Sequence, residues 1–356
     1  MKNKVYLKRI ANKNSKELNI DLRRIFIASG INKIIQKDGF VGIKLTFGEE
    51  QNKGYINPVI VKEVIDLVKK VKGKPFIVET NTLYRGNRSN AVDHLNLAIR
   101  HGFNPQDLGA PLIIGDGLLG YDQFELEVNL KYFKKLKLAS VLKDADCVIA
   151  LSHVTGHILT GFAGVLKNIG MGLASRAGKL NQHSNVLPVV KPKKCNGCTI
   201  CVKKCPVNAI VINSENKAFI LKDLCIGCGD CTVLCRFDAI EISWSSTSQE
   251  MQEKMVEYAS GVLRNKQGRF GCINFIIHFT KECDCMSTDT TSIINDIGIL
   301  ASFDPVAIDK ASVDVINNTV GKDIFKEFFP NIDYSVQLKY AEEIGVGSTK
   351  YDLIEV

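Results

Sequence analysis

Cysteine spacing constrains this chain more than any other feature of its sequence. Eight of the 12 cysteines lie in the stretch from Cys195 to Cys235. When this stretch is shifted by 30 residues, Cys195 falls on Cys225 and Cys205 falls on Cys235, and the cysteines between them also match. Random placement does not produce such a match, so we interpret the stretch as a duplicated module with two similar halves.

Each half of the module has the spacing Cys-x2-Cys-x2-Cys-x3-Cys. This run is typical of bacterial ferredoxins with two [4Fe–4S] clusters, in which the fourth cysteine of each run binds the other cluster. We therefore expect two ligand sets: Cys195, Cys198, Cys201 and Cys235 for one cluster, and Cys225, Cys228, Cys231 and Cys205 for the second. Two neighbouring clusters would form a path for electrons, although a purely structural role stays open.

Two other uses of closely spaced cysteines fit this pattern poorly. A disulfide framework needs an oxidising compartment, and we expect this chain to stay in the cytoplasm. Zinc sites normally combine cysteine pairs that are separated by a longer stretch. One departure from the ferredoxin run is that Cys235 is followed by Arg236, whereas Cys205 is followed by Pro206. We expect this arginine to alter the packing beside Cys235 without removing a cluster.

Composition and charge exclude several classes of protein. The 356 residues are 45% hydrophobic and 24% charged, which excludes a disordered or collagen-like chain. Lys and Arg outnumber Asp and Glu by 46 to 38, but the basic residues are scattered, so we expect no nucleic-acid partner. No apolar run approaches the roughly 20 residues that span a bilayer, and the N-terminus has no apolar stretch of signal-peptide length. We therefore expect a cytoplasmic protein without membrane association.

Outside the module, short apolar runs alternate with amphipathic stretches. Residues 41–47, 76–79, 112–114 and 147–151 predict strands, and residues 58–71 and 90–101 predict helices. After the module we expect a helix at 248–263, strands at 270–279 and 297–301, and a helix that begins at Asp304-Pro305. Strands separated by helices predict an α/β fold with a largely parallel, buried sheet.

The module divides the chain into three parts. We expect the first part of the α/β body at residues 1–189, a two-cluster ferredoxin-like insert at 190–245, and the second part of the body at 246–356. This interpretation makes the body a single discontinuous unit. Two separate α/β domains on either side of the module are the alternative.

Several polar residues follow the predicted strands, and α/β sheets bind ligands at the carboxyl ends of their strands. Asp116 lies in a glycine turn at residues 115–117, while His153 and His157 follow the strand at 147–151. A helical turn there would put both imidazole rings on one face, although capping or surface positions stay open for them. The pattern G-x-G-x-x-G at residues 115–120 is followed by an alternating, strand-like stretch, so we expect no dinucleotide site.

A glycine-rich segment between His157 and His183 carries Lys167 and Arg176. Backbone N–H groups in such a segment, together with two cations, can bind an anion. We therefore expect Lys167 and Arg176 to anchor an anionic substrate or cofactor, and one of the histidines or Asp116 to supply a proton. A flexible surface loop is the alternative for this segment.

The remaining four cysteines fall into two groups. Cys147 and Cys272 lie in apolar strands, and we expect them in the core. Cys283 and Cys285 are separated by Asp284 in a polar stretch, and two thiols beside a carboxylate can bind a soft or borderline metal. Two such thiols in a polar loop often have no function, so the alternative to a metal site is that they bind nothing.

A set of motifs spread over the chain resembles a known family. The residues are 41–49 (Val-Gly-Ile-Lys-Leu-Thr-Phe-Gly-Glu), 80–84 with Arg88 and His94, 114–117, 152–157, 166–168 with Met171 and Gly172, 182–183, 283–285 and 298–309. With the cysteine module they resemble the iron–sulfur-centre proteins that carry the "domain of unknown function 362". The resemblance implies an α/β body with an inserted two-cluster module, and it implies no reaction.

These observations favour an anaerobic cytoplasmic oxidoreductase that passes electrons from two [4Fe–4S] clusters to a pocket on the α/β body. The loop at residues 79–88 and the polar residues named above would form the pocket. An electron-transfer subunit without chemistry of its own, or a protein that handles metals or clusters, are the alternatives. We expect a redox partner protein as donor or acceptor, while the substrate, the cluster potentials and the oligomeric state are left open.

Overall fold

The computed structural model describes residues 3–10, 15–184, 187–225, 227, 229–241, 246–286 and 291–356. One predicted cluster ligand, Cys228, lies outside the described residues, and so do the last residues of the predicted insert, 242–245. All structural statements below concern the described residues.

The chain contains strands from the N-terminal region to the C-terminus. They are β1 (Asn3–Arg9), β2 (Phe40–Lys44), β3 (Lys74–Glu79), β4 (Leu112–Ile114), β5 (Gln123–Glu127), β6 (Lys135–Ala139), β7 (Cys147–His153), β8 (Thr155–His157), β9 (Gly161–Ala163), β10 (Val189–Val190), β11 (Ile210–Ile212), β12 (Ala218–Ile220), β13 (Ile240–Glu241), β14 (Phe270–Ile276), β15 (Gly298–Ser302) and β16 (Tyr351–Glu355).

Helices connect most of these strands. They are α1 (Ser15–Ala28), α2 (Pro58–Lys70), α3 (Ala91–Arg100), α4 (Pro105–Leu108), α5 (Val141–Asp144), α6 (Val165–Gly170), α7 (Arg176–His183), α8 (Ile200–Lys204), α9 (Asp230–Leu234), α10 (Ser248–Lys266), α11 (Pro305–Val320), α12 (Ile324–Phe328) and α13 (Ser335–Glu343), with a 3₁₀ turn at Ile31–Ile34.

One eight-stranded sheet forms the centre of the body, in the order β16-β1-β15-β14-β7-β2-β3-β4. The five strands from β14 to β4 are all parallel, β16 pairs parallel with β1, and β15 pairs antiparallel with both of its neighbours. The predicted α/β fold with a largely parallel sheet is therefore confirmed. Because parallel strands end at the same edge, the loops after β2, β3, β7 and β14 lie together.

Both faces of the sheet are covered, which is why strands such as β7 read as continuous apolar runs. Val148 and Ala150 belong to one buried cluster, which includes residues of α6, α10 and α11. Their neighbours Ile149 and Leu151 belong to a second cluster, which includes residues of α1 and α2. Alternate side chains of β7 thus pack into two hydrophobic cores, one on each face of the sheet.

The predicted elements agree with the structure except at two places. The strands and helices expected around the sheet correspond to β2, β3, β4, β7, β14, β15, α2, α3, α10 and α11. The helical turn considered for His153 and His157 does not form, because residues 155–157 form β8 and pair antiparallel with β9. The flexible-loop alternative for the glycine-rich segment is also wrong, since β9 and most of α6 are buried.

The cysteine-rich segment forms small two-stranded sheets apart from the main sheet. Strand β10 at its start pairs antiparallel with β13 near its end, so the chain enters and leaves the segment side by side. Strands β11 and β12 pair between them. The main sheet contains strands from both before and after this segment. These pairings favour the predicted insert, whose exact limits stay a prediction.

Within the described residues, none of the helices combines the length and the apolar character that a membrane crossing requires.

Candidate functional site

A cavity of about 160 Å³ lies at the carboxyl ends of the parallel strands. Six residues singled out from sequence line it: His153, His157, Lys167, His183, Cys283 and Cys285. The predicted loop after β3 also contributes, from Glu79 to Arg88. A cavity of this volume is large enough to hold several water molecules or a small organic ligand.

Asp116 and Arg176 do not line this cavity, contrary to the expectation that they share the pocket. Asp116 is fully buried in the turn after β4, where one oxygen accepts hydrogen bonds from the backbone N–H and the side-chain amide of Asn81, both at 2.9 Å. Arg176 is also buried and donates to the carbonyl of Ser89. Burial raises the pKa of Asp116 to about 6. Both residues therefore lie outside the cavity lining, and their hydrogen bonds hold Asn81 and Ser89 next to it.

A buried ion pair forms the floor of the cavity. Lys44 ends β2 and Glu79 ends β3, and the Lys44 Nζ lies 2.9 Å from the Glu79 Oε1. The ammonium also donates to the side-chain oxygen of Asn168 at 2.9 Å. Burial lowers the pKa of Lys44, and the charge of Glu79 opposes this shift. Lys44 is missing from the predicted site residues, and its signal in the sequence is a single lysine within an apolar strand.

A second buried pair holds the loop after β3. The Arg88 Nε donates to the Glu49 Oε1 at 2.6 Å, and the Arg88 Nη1 lies 3.7 Å from the Glu79 Oε2. Tyr84 bridges the pair, because it accepts from the Arg88 Nη2 and donates to Glu49, with both distances at 2.7 Å. These contacts neutralise both carboxylates and fix the loop against the cavity.

Two lysines that line the cavity have no carboxylate within 4.0 Å among the described residues. Lys179 donates to the Thr80 hydroxyl at 2.5 Å and to the carbonyl of Ala174 at 2.7 Å. Lys167 lies 3.2 Å from the Cys283 Sγ and 3.4 Å from the Cys285 Sγ. Burial lowers the pKa of each lysine to about 8. The cavity therefore holds positive charge that the described residues do not balance by direct ion pairs.

His153 is locked in place instead of facing the cavity as a free acid. Its Nδ1 lies 2.9 Å from the Asp284 Oδ1, and its Nε2 lies 2.9 Å from the carbonyl of Ile277 and 3.1 Å from that of His278. Because acceptors face both ring nitrogens, the surroundings favour the doubly protonated ring. The pKa of His153 is raised by Asp284 and by these carbonyls against the effect of burial.

His157 has the opposite arrangement. Its Nδ1 accepts the backbone N–H groups of Leu159 at 3.2 Å and of Thr160 at 3.1 Å, so the ring proton of the neutral form is on Nε2. Burial lowers the pKa of His157 well below its ordinary value, and the pKa of His183 to about 4. His157 is thus a neutral donor in the wall of the cavity.

Cys283 and Cys285 are joined by a disulfide. One nitrogen of His157 and the two sulfurs lie within 4.8 Å of one another, which is close enough for three ligands of one metal ion. A disulfide has no thiolate to offer, so the metal site predicted here requires reduction of the pair and stays a prediction. Cys147 and Cys272 are buried and unpaired in the core, as expected.

Helix α6 carries Lys167 into the cavity, and Asp309 of α11 fixes its first turn. The two Asp309 oxygens accept the backbone N–H groups of Val165 at 2.8 Å and Leu166 at 2.9 Å, and the side-chain amide of Asn274 donates at 2.9 Å. A side chain on Gly164 would collide with this carboxylate. The position of Lys167 therefore depends on a carboxylate more than 140 residues away in sequence.

We expect Asp309→Asn to destabilise the protein by about 1–3 kcal/mol, because it replaces one acceptor by a donor and leaves a buried N–H unpaired. The shift is measured as a lower urea midpoint for unfolding. Asp333→Asn is the matched control, since Asp333 also accepts a backbone N–H but is 56% exposed. The control is expected to change stability by less than about 0.5 kcal/mol. Equal shifts for the two variants would contradict this role of Asp309.

The cysteines of the module surround two small cavities. One cavity is lined by Cys195, Cys198, Cys201 and Cys235, and the other by Cys201, Cys205, Cys225 and Cys231. The first set is the one that the sequence predicts for one cluster. None of these described cysteines forms a disulfide.

Backbone N–H groups point at three of the module's sulfurs. Ala218 donates to the Cys195 Sγ at 3.3 Å, and Ala239 donates to the Cys235 Sγ at 3.3 Å. The backbone of residue 209 makes the equivalent bond to Cys205 at 3.2 Å. Such bonds stabilise thiolates, and hydrogen bonds to sulfur are one of the features that tune iron–sulfur clusters. The described cysteines therefore fit an iron–sulfur module, while the number of clusters and the exchange of fourth ligands stay predictions.

The module packs directly on the wall of the large cavity. Gly229, which lines the second small cavity, has a φ of +77°, and a Cβ there would lie 3.2 Å from the Leu83 side chain. Leu83 in turn lines the large cavity. Arg85 pairs with Asp238 of the module at 2.5 Å. Leu83 thus lies beside Gly229 of the module and also lines the large cavity, together with His157 and Lys167.

Short segments of this chain match known proteins. It is 48% identical over 58 residues to ABC transporter E family member 1 of Arabidopsis thaliana, which is 15% of this chain and 9% of that protein. It is 44% identical over 50 residues to a subunit of the tetrathionate reductase of Archaeoglobus fulgidus (14% and 24%). It is 32% identical over 59 residues to a component of the anaerobic dimethyl sulfoxide reductase of Haemophilus influenzae (16% and 29%). The matches span less than a third of each relative.

Among solved structures, the lactate racemase apoprotein from Thermoanaerobacterium thermosaccharolyticum overlaps this chain with a TM-score of 0.45 and 13% identity. The overlap covers 88% of this chain and 58% of that one. A likeness at this level says nothing about activity.

A family model covers most of the chain, from residue 41 to residue 314, and so includes the cysteine module and the cavity loops. The chain therefore belongs to the family described as domain of unknown function (DUF362).

Proposed function

We propose that this chain is an iron–sulfur oxidoreductase that uses electrons from two [4Fe–4S] clusters on a small organic anion bound in the large cavity. The observation that carries the proposal is that Leu83 of the cavity wall lies next to Gly229, which lines the small cavity of the second cysteine set. A carrier that only hands electrons to another protein has no need of a cavity lined by buried charges.

The two cysteine sets would hold the clusters, with Cys228 completing the second set. A bound [4Fe–4S] cluster supplies reversible one-electron transfer. Two of the relatives are named as parts of reductases, tetrathionate reductase and anaerobic dimethyl sulfoxide reductase. This supports a redox role and a partner protein that exchanges electrons with the clusters. The proposal includes an anaerobic, cytoplasmic setting, in which low-potential clusters survive.

The substrate is an anion because the cavity presents two buried ammonium groups without carboxylate partners among the described residues. We assign the anchoring of the anion to Lys167 and Lys179. The sequence predicts Arg176 as the second anchor, but Arg176 donates to the carbonyl of Ser89 and does not line the cavity. A carboxylate between the two lysines would replace water as their partner and recover part of the cost of burying them. The Thr80 hydroxyl, which already binds Lys179, holds that ammonium in place.

The wall of the cavity also presents a hydrogen-bond donor to the reacting anion. His157 presents an Nε2–H and is neutral, so it can donate a hydrogen bond to a developing anion. Its Nδ1 remains fixed by two backbone N–H groups, which keeps this tautomer. Asp116 is excluded from direct contact because it lies behind the wall, and His153 is held by Asp284.

Iron content tests the clusters first. We expect the anaerobically purified chain to hold about eight irons, and Cys235→Ser to reduce this to about four, because one ligand set of two is lost. Elemental analysis and electron paramagnetic resonance of the reduced protein measure both. Cys272→Ala is the control, since Cys272 is buried in the body core and should leave the iron count unchanged. An iron-poor protein, or zinc in its place, contradicts the proposal.

A second candidate is a protein that handles metals. The grouping of His157, Cys283 and Cys285 within 4.8 Å favours it. It predicts that the reduced protein binds a metal ion in addition to iron and passes it to an acceptor, with no binding of organic anions. The Lys167 ammonium beside both sulfurs opposes a cation there, which is why we prefer the oxidoreductase.

A further inference from the structure

We propose that Cys283 and Cys285 form a redox-active pair that takes up two electrons inside the large cavity and cycles between disulfide and dithiol. This inference goes beyond the proposed function and requires neither the clusters nor the anion. It rests on where the pair lies, on what holds its loop, and on the ammonium group beside the sulfurs.

The pair faces the cavity, whereas the other cysteines of the body do not. Both residues line the cavity, and Cys285 is only half-buried. Cys147 and Cys272 are at most 1% exposed and pack in the two cores. A reductant or substrate in the cavity can therefore reach the Cys283–Cys285 bond, while the two core thiols stay sealed from it.

The loop is anchored by contacts that do not involve the sulfurs. Asp284, between the two cysteines, pairs with His153 at 2.9 Å, and its carbonyl accepts the backbone N–H of Glu49 at 3.1 Å. The Tyr84 hydroxyl, which donates to Glu49, also lies 3.2 Å from the carbonyl oxygen of Cys285. The loop is thus held by β7 and by the loop after β2, so breaking the S–S bond leaves the two sulfurs close enough to form it again.

Lys167 is placed to help the bond break. Its Nζ lies 3.2 Å from the Cys283 sulfur and 3.4 Å from that of Cys285. An ammonium at this distance stabilises whichever sulfur leaves as thiolate and can supply its proton. A cation beside both sulfurs also disfavours a metal ion at the same place.

Reduction of the disulfide needs two electrons and two protons. Two equivalents of a low-potential one-electron donor supply two electrons, the S–S bond breaks, and each sulfur takes one electron and one proton to give two thiols. In the reverse direction the thiols lose two electrons and two protons to an acceptor and the S–S bond forms. Disulfides in reducing compartments are usually transient and catalytic or redox-sensing, which fits a pair built into a cavity.

The test uses the full chain, purified anaerobically, with iodoacetamide as the thiol probe and a water-soluble phosphine as reductant. Mass spectrometry of the peptide that contains both cysteines counts the alkyl groups. We expect no labelling before reduction and two labels after it, with the fold intact, and a return to the unlabelled state on reoxidation before alkylation. Cys147 and Cys272 are internal controls and should stay unlabelled throughout.

Three results would each overturn the proposal. The first is labelling of both cysteines in the oxidised protein, and the second is a bond that resists the phosphine until the chain unfolds. The third is reduced thiols that are blocked by a tightly bound, copurifying metal. The double variant Cys283→Ser with Cys285→Ser should keep the full iron content, so loss of iron and loss of this redox pair are separate outcomes.

Lys167→Met tests the role of the ammonium as a positioning and charge-stabilising group. We expect it to slow reduction of the bond by about threefold for each unit by which the pKa of the leaving thiol rises. Lys281→Met is the matched control, because Lys281 lies next to the same loop but is exposed. Equal rates for Lys167→Met and the parent chain would contradict the role of Lys167, and the labelling pattern above tests the pair independently.

Discussion

Replacing Glu49 by alanine is expected to lower the free energy of unfolding by about 3–5 kcal/mol, the cost of leaving a buried charge without its partner. Arg88 is 3% exposed, and Glu49 is its nearest carboxylate at 2.6 Å. Glu79 is 3.7 Å away and is already paired with Lys44, so it cannot fully compensate. The loss also frees Tyr84, which donates to the same oxygen. Equilibrium unfolding in urea measures the effect.

An exposed pair of the same type is the control for Glu49. Arg9 and Glu355 pair at 2.9 Å, but their side chains are 53% and 61% exposed. Glu355→Ala is therefore expected to cost less than about 1 kcal/mol, because solvent screens the pair. Glu49→Gln separates charge from hydrogen bonding, since glutamine keeps an acceptor for Tyr84. If Glu49→Ala cost no more than the control, the buried network would contribute nothing to stability.

The order of strands and helices could be predicted from sequence because each signal is local. Apolar runs, Pro58 at the start of α2 and Asp304 before α11 act within a few residues of themselves. The order of strands in the sheet is a different matter. Strand β15 inserts antiparallel between β14 and β1, and no local pattern states which strands become neighbours.

The candidate site could be predicted in part because parallel strands end at one edge. That rule places the loops of His153, His157, Lys167 and Cys283 together, and all four line one cavity. It does not tell which way a side chain points within its loop. Asp116 follows β4 at the edge of the sheet, and its carboxylate turns to the backbone of Asn81 instead of the cavity.

The residues that sequence reasoning missed act through tertiary contacts. Lys44 is a strand lysine whose partner, Glu79, ends the neighbouring strand. Lys179 sits on α7 and reaches Thr80, about a hundred residues earlier. Charges of this kind look like exposed residues of an amphipathic pattern until the sheet brings their partners together. They matter here because they set the charge of the cavity.

Replacing Lys179 by methionine is expected to weaken the binding of a small dicarboxylate by about 30-fold or more. Truncating one member of a buried charge pair costs about 2–5 kcal/mol. Succinate is a suitable probe because it carries two carboxylates and fits the cavity, and calorimetry measures its affinity. Succinamide, its neutral counterpart, should not bind the parent chain. Lys62→Met, at an exposed lysine that pairs with Asp66, is the control variant and should leave succinate binding unchanged.

The pH dependence of succinate binding shows whether binding depends on the charge of the two lysines or only on the shape of the cavity. Burial lowers the pKa of Lys167 and Lys179 to about 8, so both ammonium groups lose protons as pH rises from 7 to 9. Anion binding needs these protons, and affinity therefore falls with rising pH, by about tenfold per unit above pH 8 for each lysine. Asp116, at about 6, and His183, at about 4, titrate below this range. The succinate affinity of Lys179→Met should fall with pH at half the slope of the parent chain. Equal slopes for the two proteins, or a succinate affinity that does not change with pH, would show that Lys179 is not part of the anion site.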